Sequence, residues 1–496
     1  MSSTSDVDRP LPLGISAKTG RPLGELIDDA VRAMLDRERE PNVELLEAQQ
    51  GRSSPAVTSF SVSGEFEGND LSQVGWGAIF APDADPAIKE ALQPLLDYRQ
   101  KQAGTAPFVI YDGASGYLPG ETALAWLERQ NVRLDVVNPD KGVPYYLLIV
   151  GSPEAISFEF QYVLDLYWGV GRLWFATAQE FRQYAQSVID YETAAAVPTS
   201  RQMALFATAH DFDEATQLFT RCVAKPLTEG EGPKPVPIGR RQKFRLKQYL
   251  GDDATKSALA RIYRDAASGG PPALLFSGTH GMDFEPDDAR QALHQGALVC
   301  ADWSGFGSIG EDAWFAAADV PPDAKLRGMI HFIFACHGGG CPQFDNFDRL
   351  NKTPRKIADK PFLSPLPQRL LAHPNGGALA CLAHVERAWA FSFQSARGGS
   401  QSQGFRDVIG RLLRGDRIGQ ATDSFNVRWA TLSTDLAELQ NGVRLGADVP
   451  LKTLGRMWVA RDDARNYVVL GDPAVRLRVE DMPEVAEADL IGKTGS

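Results

Sequence analysis

IHFIFACHGGGCPQFDNF, from Ile330 to Phe347, decides the fold. Six consecutive apolar or aromatic-rich positions run into a cysteine, a histidine and three glycines. An unbroken apolar run of this length, ended by glycine, is the pattern of a strand buried on both faces of a parallel sheet. The cysteine at its end admits two readings. One is packing, since cysteine is small and often buried. The other is chemistry, a nucleophile at a strand end beside bare backbone.

Working outward, six more runs share the pattern: PFVIYDG from Pro107, YYLLIVG from Tyr145, ALLFSGTHG from Ala273, GALVCADW from Gly296, GGALACLAHV from Gly376 and YVVLGDP from Tyr467. Helical patterns lie between them. ATKSALARIYRDAA, from Ala254, puts Leu259, Ile262, Tyr263 and Ala266 on one face, with Asp252 or Asp253 as its cap. ETALAWLERQ from Glu121, EFRQYAQSVIDYE from Glu180, the stretch Thr422–Leu439 and the start of EDAWFAAADVPPDAKLRG from Glu311 also read as helices. Strands alternating with helices predict an α/β fold around a mostly parallel sheet. AAAVPTS, from Ala194, and TEGEGPKPVPIGRRQKFRLK, from Thr228, read as linkers or exposed loops. The first ~20 residues read as loosely ordered on composition.

The 496 residues carry 51 basic and 63 acidic side chains, a net charge of −12. Such a chain repels phosphate backbones, so nucleic acid is not an expected partner. No apolar stretch reaches the ~18 residues of a membrane span, and MSSTSDVDRPLPLG has neither the basic start nor the apolar stretch of a secretory signal. Five cysteines are few and odd in number. That disfavours a disulfide framework and points to a reducing, cytoplasmic compartment.

Two strands end in reactive residues. ALLFSGTHG delivers His280 and Gly281; MIHFIFACHGG delivers Cys336. In open parallel sheets sites form at the carboxyl ends of strands, and neighbouring strands lie ~4.8 Å apart. An imidazole beside a thiol can take its proton or stabilise the thiolate. Attack on a peptide carbonyl builds charge on oxygen, and each backbone N–H that binds it is worth ~3 kcal/mol. Gly281 and the Gly338–Gly340 run, lacking Cβ atoms, would let substrate approach their backbone.

The pattern, an apolar run ending His-Gly followed by one ending Ala-Cys, resembles the clan CD cysteine peptidases and, within them, gingipain-like bacterial proteins without secretion signals. LLFSGTHG, FIFACHGG, the strand and G-R motif within Pro144–Leu173, GGALACLAHVERAWAFSF and YVVLGDPAVRLR carry the resemblance, over about Asn69 to Val479. It implies a caspase-like fold with two subdomains and a cysteine endopeptidase working through a thioester. It further implies His280 as general acid/base, Cys336 as nucleophile, and the N–H groups of Gly281 and Cys336 as the oxyanion hole. Calcium sites of secreted gingipains are not carried over, and no cofactor is expected. The organisation expected is an N-terminal extension (1–68), a first subdomain (69–200), a connecting region with an exposed basic loop (201–268), a catalytic subdomain (269–480) and a tail (481–496). The partners expected are protein or peptide substrates, and a regulatory partner bound through the extension.

Around the dyad, Asp345, His384, Arg387 and Trp389 are candidates to border the substrate pocket, Asp345 by pairing with a basic side chain. CH-x3-C at Cys336–Cys341 is not a zinc spacing, so no metal is expected. Cys300 and Cys381 read as small buried residues. GFGSIG, Gly305–Gly310, spells G-x-G-x-x-G but does not follow directly on a strand, so it reads as a loop near the active-site edge and not as a dinucleotide site. RRQKFRLK, from Arg240, would be a self-cleavage site if the pocket prefers basic residues. The alternative to an enzyme is a caspase-like scaffold or sensor without turnover.

Overall fold

The computed structural model describes residues 11–24, 61–264, 271–347, 354–394 and 401–490. Ten strands form one sheet: β1 (Trp76–Phe80), β2 (Phe108–Tyr111), β3 (Tyr146–Val150), β4 (Gly169–Leu173), β5 (Ser200–Ala207), β6 (Arg245–Leu250), β7 (Pro272–Gly278), β8 (Ile330–Phe334), β9 (Ala380–His384) and β10 (Tyr467–Gly471). Their order is β2-β1-β3-β4-β10-β9-β8-β7-β5-β6. Strands β1–β4 and β10 are mutually parallel, and so are β5–β9. The two sets meet in a single antiparallel pairing, β9 with β10. The sheet is thus mixed but mostly parallel, as the continuous apolar runs require.

Helices cover its faces, among them α1 (Pro86–Ala103), α2 (Ala123–Arg129), α3 (Ala178–Thr193), α4 (Glu214–Phe219), α5 (Lys256–Arg264), α6 (Gln403–Arg414), α7 (Asp423–Arg444) and α8 (Leu451–Arg465). Helix α3 starts with a capping box, in which Thr177 and Glu180 satisfy each other's free N–H groups. The buried face of α5 includes Leu259, Ile262 and Tyr263, as its spacing predicts. Its cap is Thr255, whose hydroxyl accepts from the Ala258 N–H at 3.1 Å; Asp252 and Asp253 instead sit in a preceding 3-10 turn. Ala266 lies outside the described residues.

Several expectations give way. Leu298–Val299, within GALVCADW, pairs antiparallel in a separate four-strand sheet with Gly14–Ser16, Gly281–Asp283 and Trp314–Phe315. The segment from Glu311 makes one 3-10 turn and then that short strand, not a helix. Four strands of the main sheet, β1, β4, β5 and β6, escape an apolar-run search: β4 is GVGRL, with two glycines and an arginine, and β6 is RLKQYL, an edge strand read above as a basic loop. An edge strand has one open side, so charged side chains suit it. The segment Leu11–Gly20 is not loosely ordered, because Leu13 and Ile15 are fully buried. Apolar residues at alternate positions give this polar stretch a strand's inner face.

Candidate active site

The site lies at the carboxyl ends of β5, β7, β8 and β9, four adjacent strands of one direction. Gly278 at the end of β7 is in register with Phe334 at the end of β8. His280 and Cys336 each follow two residues later, and the Thr279 N–H donates to the Phe334 carbonyl at 3.2 Å, continuing the ladder. Gly281 meets Cys336 so closely that a Cβ on it would lie 1.9 Å from the Cys336 carbonyl oxygen. Its bare backbone therefore serves this strand-to-strand approach. The Gly338–Gly340 run also packs inward: a Cβ on Gly340 would lie 2.7 Å from the Phe158 ring and 2.8 Å from the Phe362 carbonyl. Its glycines make room for neighbours within the protein, not for a bound peptide.

His280 is fully buried, and its Nε2 lies 2.8 Å from Asp213 Oδ2. Its Nδ1 has no hydrogen-bond partner among the described residues. The ring stands edge-on to Trp303, which packs with His210, Phe212 and Phe306. Phe306 belongs to the GFGSIG loop, which does lie at this edge. Asp213 follows β5 and caps α4, accepting from the Thr216 N–H at 2.9 Å and its hydroxyl at 2.7 Å. Burial would raise the pKa of Asp213, but the imidazole's charge, its hydrogen bond and the Thr216 donors outweigh that and hold it well below the usual carboxylate range. Asp213 was missed in the sequence. Its signal is HDFD after the apolar end of β5, a strand that the polar start SRQ disguises.

Cys336 is fully buried, and its sulfur accepts from the Ala388 N–H at 3.2 Å. Burial pushes the thiol well above its ordinary pKa, while the Ala388 N–H and the Arg387 charge pull the other way. The N–H groups of Gly281 and Cys336 converge on one oxygen, the carbonyl of Leu13, at 3.0 and 2.9 Å.

The four pocket candidates separate. Asp345 and Arg387 form an ion pair with each other and line a cavity of about 160 Å³ with Asp283, His337, Arg355 and Glu386. The Arg387 guanidinium also sits over the rings of Phe347 (4.9 Å) and Trp389 (5.3 Å). Burial, then the neighbouring Asp345, pushes Glu386 well above its ordinary pKa. Trp389 is fully buried, its backbone N–H donates to Asp463 Oδ1 at 2.8 Å, and it bridges antiparallel to Pro12. His384 points away from the cavity, into the core, where its Nε2 lies 2.9 Å from the Asp463 carbonyl and its ring packs edge-on to Tyr467. All five cysteines are free and buried, Cys300 and Cys381 deeply so. No helix among the described residues is long and apolar enough to cross a membrane.

The model of peptidase family C25 matches residues 78–478. No curated protein matches the chain. Among solved structures it is similar to the Arg-specific cysteine proteinase gingipain R (RgpB), at 13% identity over 82% of this chain and 79% of that one, TM-score 0.47. A structure described as a protease gives 13% identity over 82% and 80%, TM-score 0.45. The complex of the Porphyromonas gingivalis RgpB pro- and mature domains gives 12% identity over 82% and 80%, TM-score 0.41. With its family model spanning most of its length, the chain belongs to peptidase family C25, the gingipain family of cysteine peptidases.

Proposed function

We propose that this cysteine peptidase is an endopeptidase in which Cys336 is the nucleophile, His280 the general acid/base and Asp213 the group that orients the imidazole. The observation that carries the reading is the pair of N–H groups, from Gly281 and Cys336, aimed at a single peptide oxygen beside the thiol. Two donors held by adjacent strands need no rearrangement as charge builds on that oxygen, which is the requirement for an oxyanion hole. The imidazole takes the thiol proton as the sulfur attacks the carbonyl carbon, and the tetrahedral oxyanion collapses to a thioester as the imidazole gives that proton to the leaving amine. Water, deprotonated by the same imidazole, then releases the acid and restores the thiol.

Asp213 fixes one ring nitrogen and leaves Nδ1 free for the proton. The Ala388 carbonyl offers an acceptor and the Ala390 N–H a donor to a substrate strand. Asp345 neutralises Arg387, so it serves the shape of the adjoining cavity better than recognition of a basic side chain. A reducing compartment such as the cytoplasm suits five free thiols.

Cys336→Ala tests the reading. Ala fits the same buried strand end, so the melting temperature should stay within a few degrees. Peptide hydrolysis should fall by at least about 10⁴-fold. In the parent, iodoacetamide should label Cys336 ahead of the other four thiols once the cleft is open. Undiminished hydrolysis in the variant would remove Cys336 from the mechanism; absence of both hydrolysis and labelling in the parent would favour a scaffold without turnover.

A further inference from the structure

The oxygen between the two N–H groups belongs to the protein's own N-terminal segment, and the whole segment lies as an extended substrate would. The Leu13 N–H donates to the Ala388 carbonyl and the Ala390 N–H to the Leu11 carbonyl, each at 2.8 Å, with Pro12 opposite Trp389. Leu11–Leu13 therefore forms an antiparallel ladder on the strand-like stretch that follows β9. The Leu13 side chain is fully buried in the main apolar core. Past the carbonyl the chain crosses the sulfur: a Cβ on Gly14 would lie 2.7 Å from Cys336 Sγ, so only glycine fits there. Gly14–Ser16 then pairs parallel with Gly281–Asp283, and the Ala17 N–H donates to the Asp283 carbonyl at 2.7 Å. A tight hairpin returns the chain, with the Ser16 N–H on the Arg21 carbonyl (2.9 Å) and the Leu23 N–H on the Gly14 carbonyl (3.0 Å).

Each contact is one that peptide hydrolysis requires. The ladder fixes direction, the two donors fix the carbonyl oxygen, and the thiol sits against the residue on the leaving side. We propose that Leu13–Gly14 is a bond this enzyme cuts in its own chain, and that the cleft accordingly takes a leucine-like apolar residue on the acyl side and glycine on the leaving side. The proposal rests on the cysteine-peptidase reading above and names its substrate class. The Cys336 proton passes to His280 as Sγ bonds to the Leu13 carbonyl carbon, the Leu13–Gly14 C–N bond breaks, and His280 hands that proton to the Gly14 amine. Water then splits the thioester, leaving a Leu13 carboxylate, a free thiol and the proton returned to the imidazole. Until the cut, the segment fills the groove and buries the sulfur. Arg240–Lys247, the basic stretch, is a weaker target: residues 245–247 are held in β6 against β5.

Intact mass and N-terminal sequencing of the purified full chain test this. The expected result is a new N-terminus at Gly14, formed at a first-order rate independent of protein concentration. Cys336→Ala should remain uncut, alone and when mixed with the parent. Leu13→Asp, which puts a charge in the apolar site, should slow the cut at least tenfold. In a separate assay, a Leu-Pro-Leu peptide with a fluorogenic leaving group should be hydrolysed at least tenfold faster than Leu-Pro-Arg. An intact N-terminus on protein that hydrolyses peptides or alkylates at Cys336 would overturn self-cleavage and leave the peptidase reading standing. A cut in the Cys336→Ala chain of the mixture would assign the reaction to a second molecule and overturn it too. A preference for arginine would overturn the substrate class. Protein that neither hydrolyses nor alkylates would bring down the peptidase reading itself.

Discussion

The two halves of the sheet are built alike and end differently. In the first half, at the carboxyl end of β3, the buried guanidinium of Arg172 gathers the carbonyls of Gly151, Ile156 and Ser157 and the Gln161 side chain. Burial lowers its pKa to about 10. A second buried cation, Arg99, lies 2.6 Å from both Asp472 and Glu192, and Trp76 Nε1 donates to Asp472 at 3.0 Å. These groups find their partners inside the protein and hold it together. In the second half the strand ends present a thiol, an imidazole with one bare nitrogen, and two N–H groups that require an oxygen from a peptide laid across them. The lesson is that a parallel sheet supplies an edge, while the residues just past each strand determine whether that edge is sealed or reactive.

That contrast can be broken most forcefully at Asp213. Asp213→Asn keeps a good helix cap for α4 but removes the charge facing His280. It should lower kcat about 10²- to 10⁴-fold with KM nearly unchanged and the circular dichroism spectrum preserved. A matching fall in stability with kcat per folded molecule intact would make Asp213 structural, like Arg99.

At Arg99 the opposite outcome is expected. Arg99→Met strands two buried carboxylates and should cost about 3–5 kcal/mol in urea unfolding, with kcat per folded molecule unchanged. A large loss of kcat there would blur the division between the halves.

A smaller effect sharpens the picture within β8. His331 is fully buried between Tyr263 Oη (3.2 Å) and Ser277 Oγ (2.9 Å), and burial lowers its pKa to about 3. Between that value and the ~6.5 of a free imidazole, the unfolded chain binds a proton that the native protein refuses. The contribution is complete above that window and is lost as pH falls, by up to about 1.4 kcal/mol per pH unit. His331→Gln should flatten this slope between pH 7 and pH 5, read from urea midpoints.

What could be read from the sequence followed from how each element announces itself. β7, β8 and β9 are apolar from end to end, so their strand-end residues His280, Gly281 and Cys336 stood out. β4 and β5 begin with glycine or polar residues, so they and Asp213, which follows β5, were hidden. The pocket candidates depended on side-chain direction, which spacing alone does not give: Asp345 and Arg387 meet across 42 positions, while His384, on the strand itself, turns into the core. Least legible was LPLG at Leu11–Gly14. Its alternation of Leu11, Leu13 and Ile15 is too short to stand out, and its placement comes from partners hundreds of positions away.

Strand β10 has a consequence for how the protein is made. It is the tenth strand to leave the ribosome, yet it occupies the seam, and no hydrogen bond of the sheet joins β4 to β9 without it. A nascent chain must therefore wait, with two raw edges exposed, until Tyr467–Gly471 emerges. Premature termination anywhere upstream would leave β4 and β9 without the strand that joins them, each with an open edge.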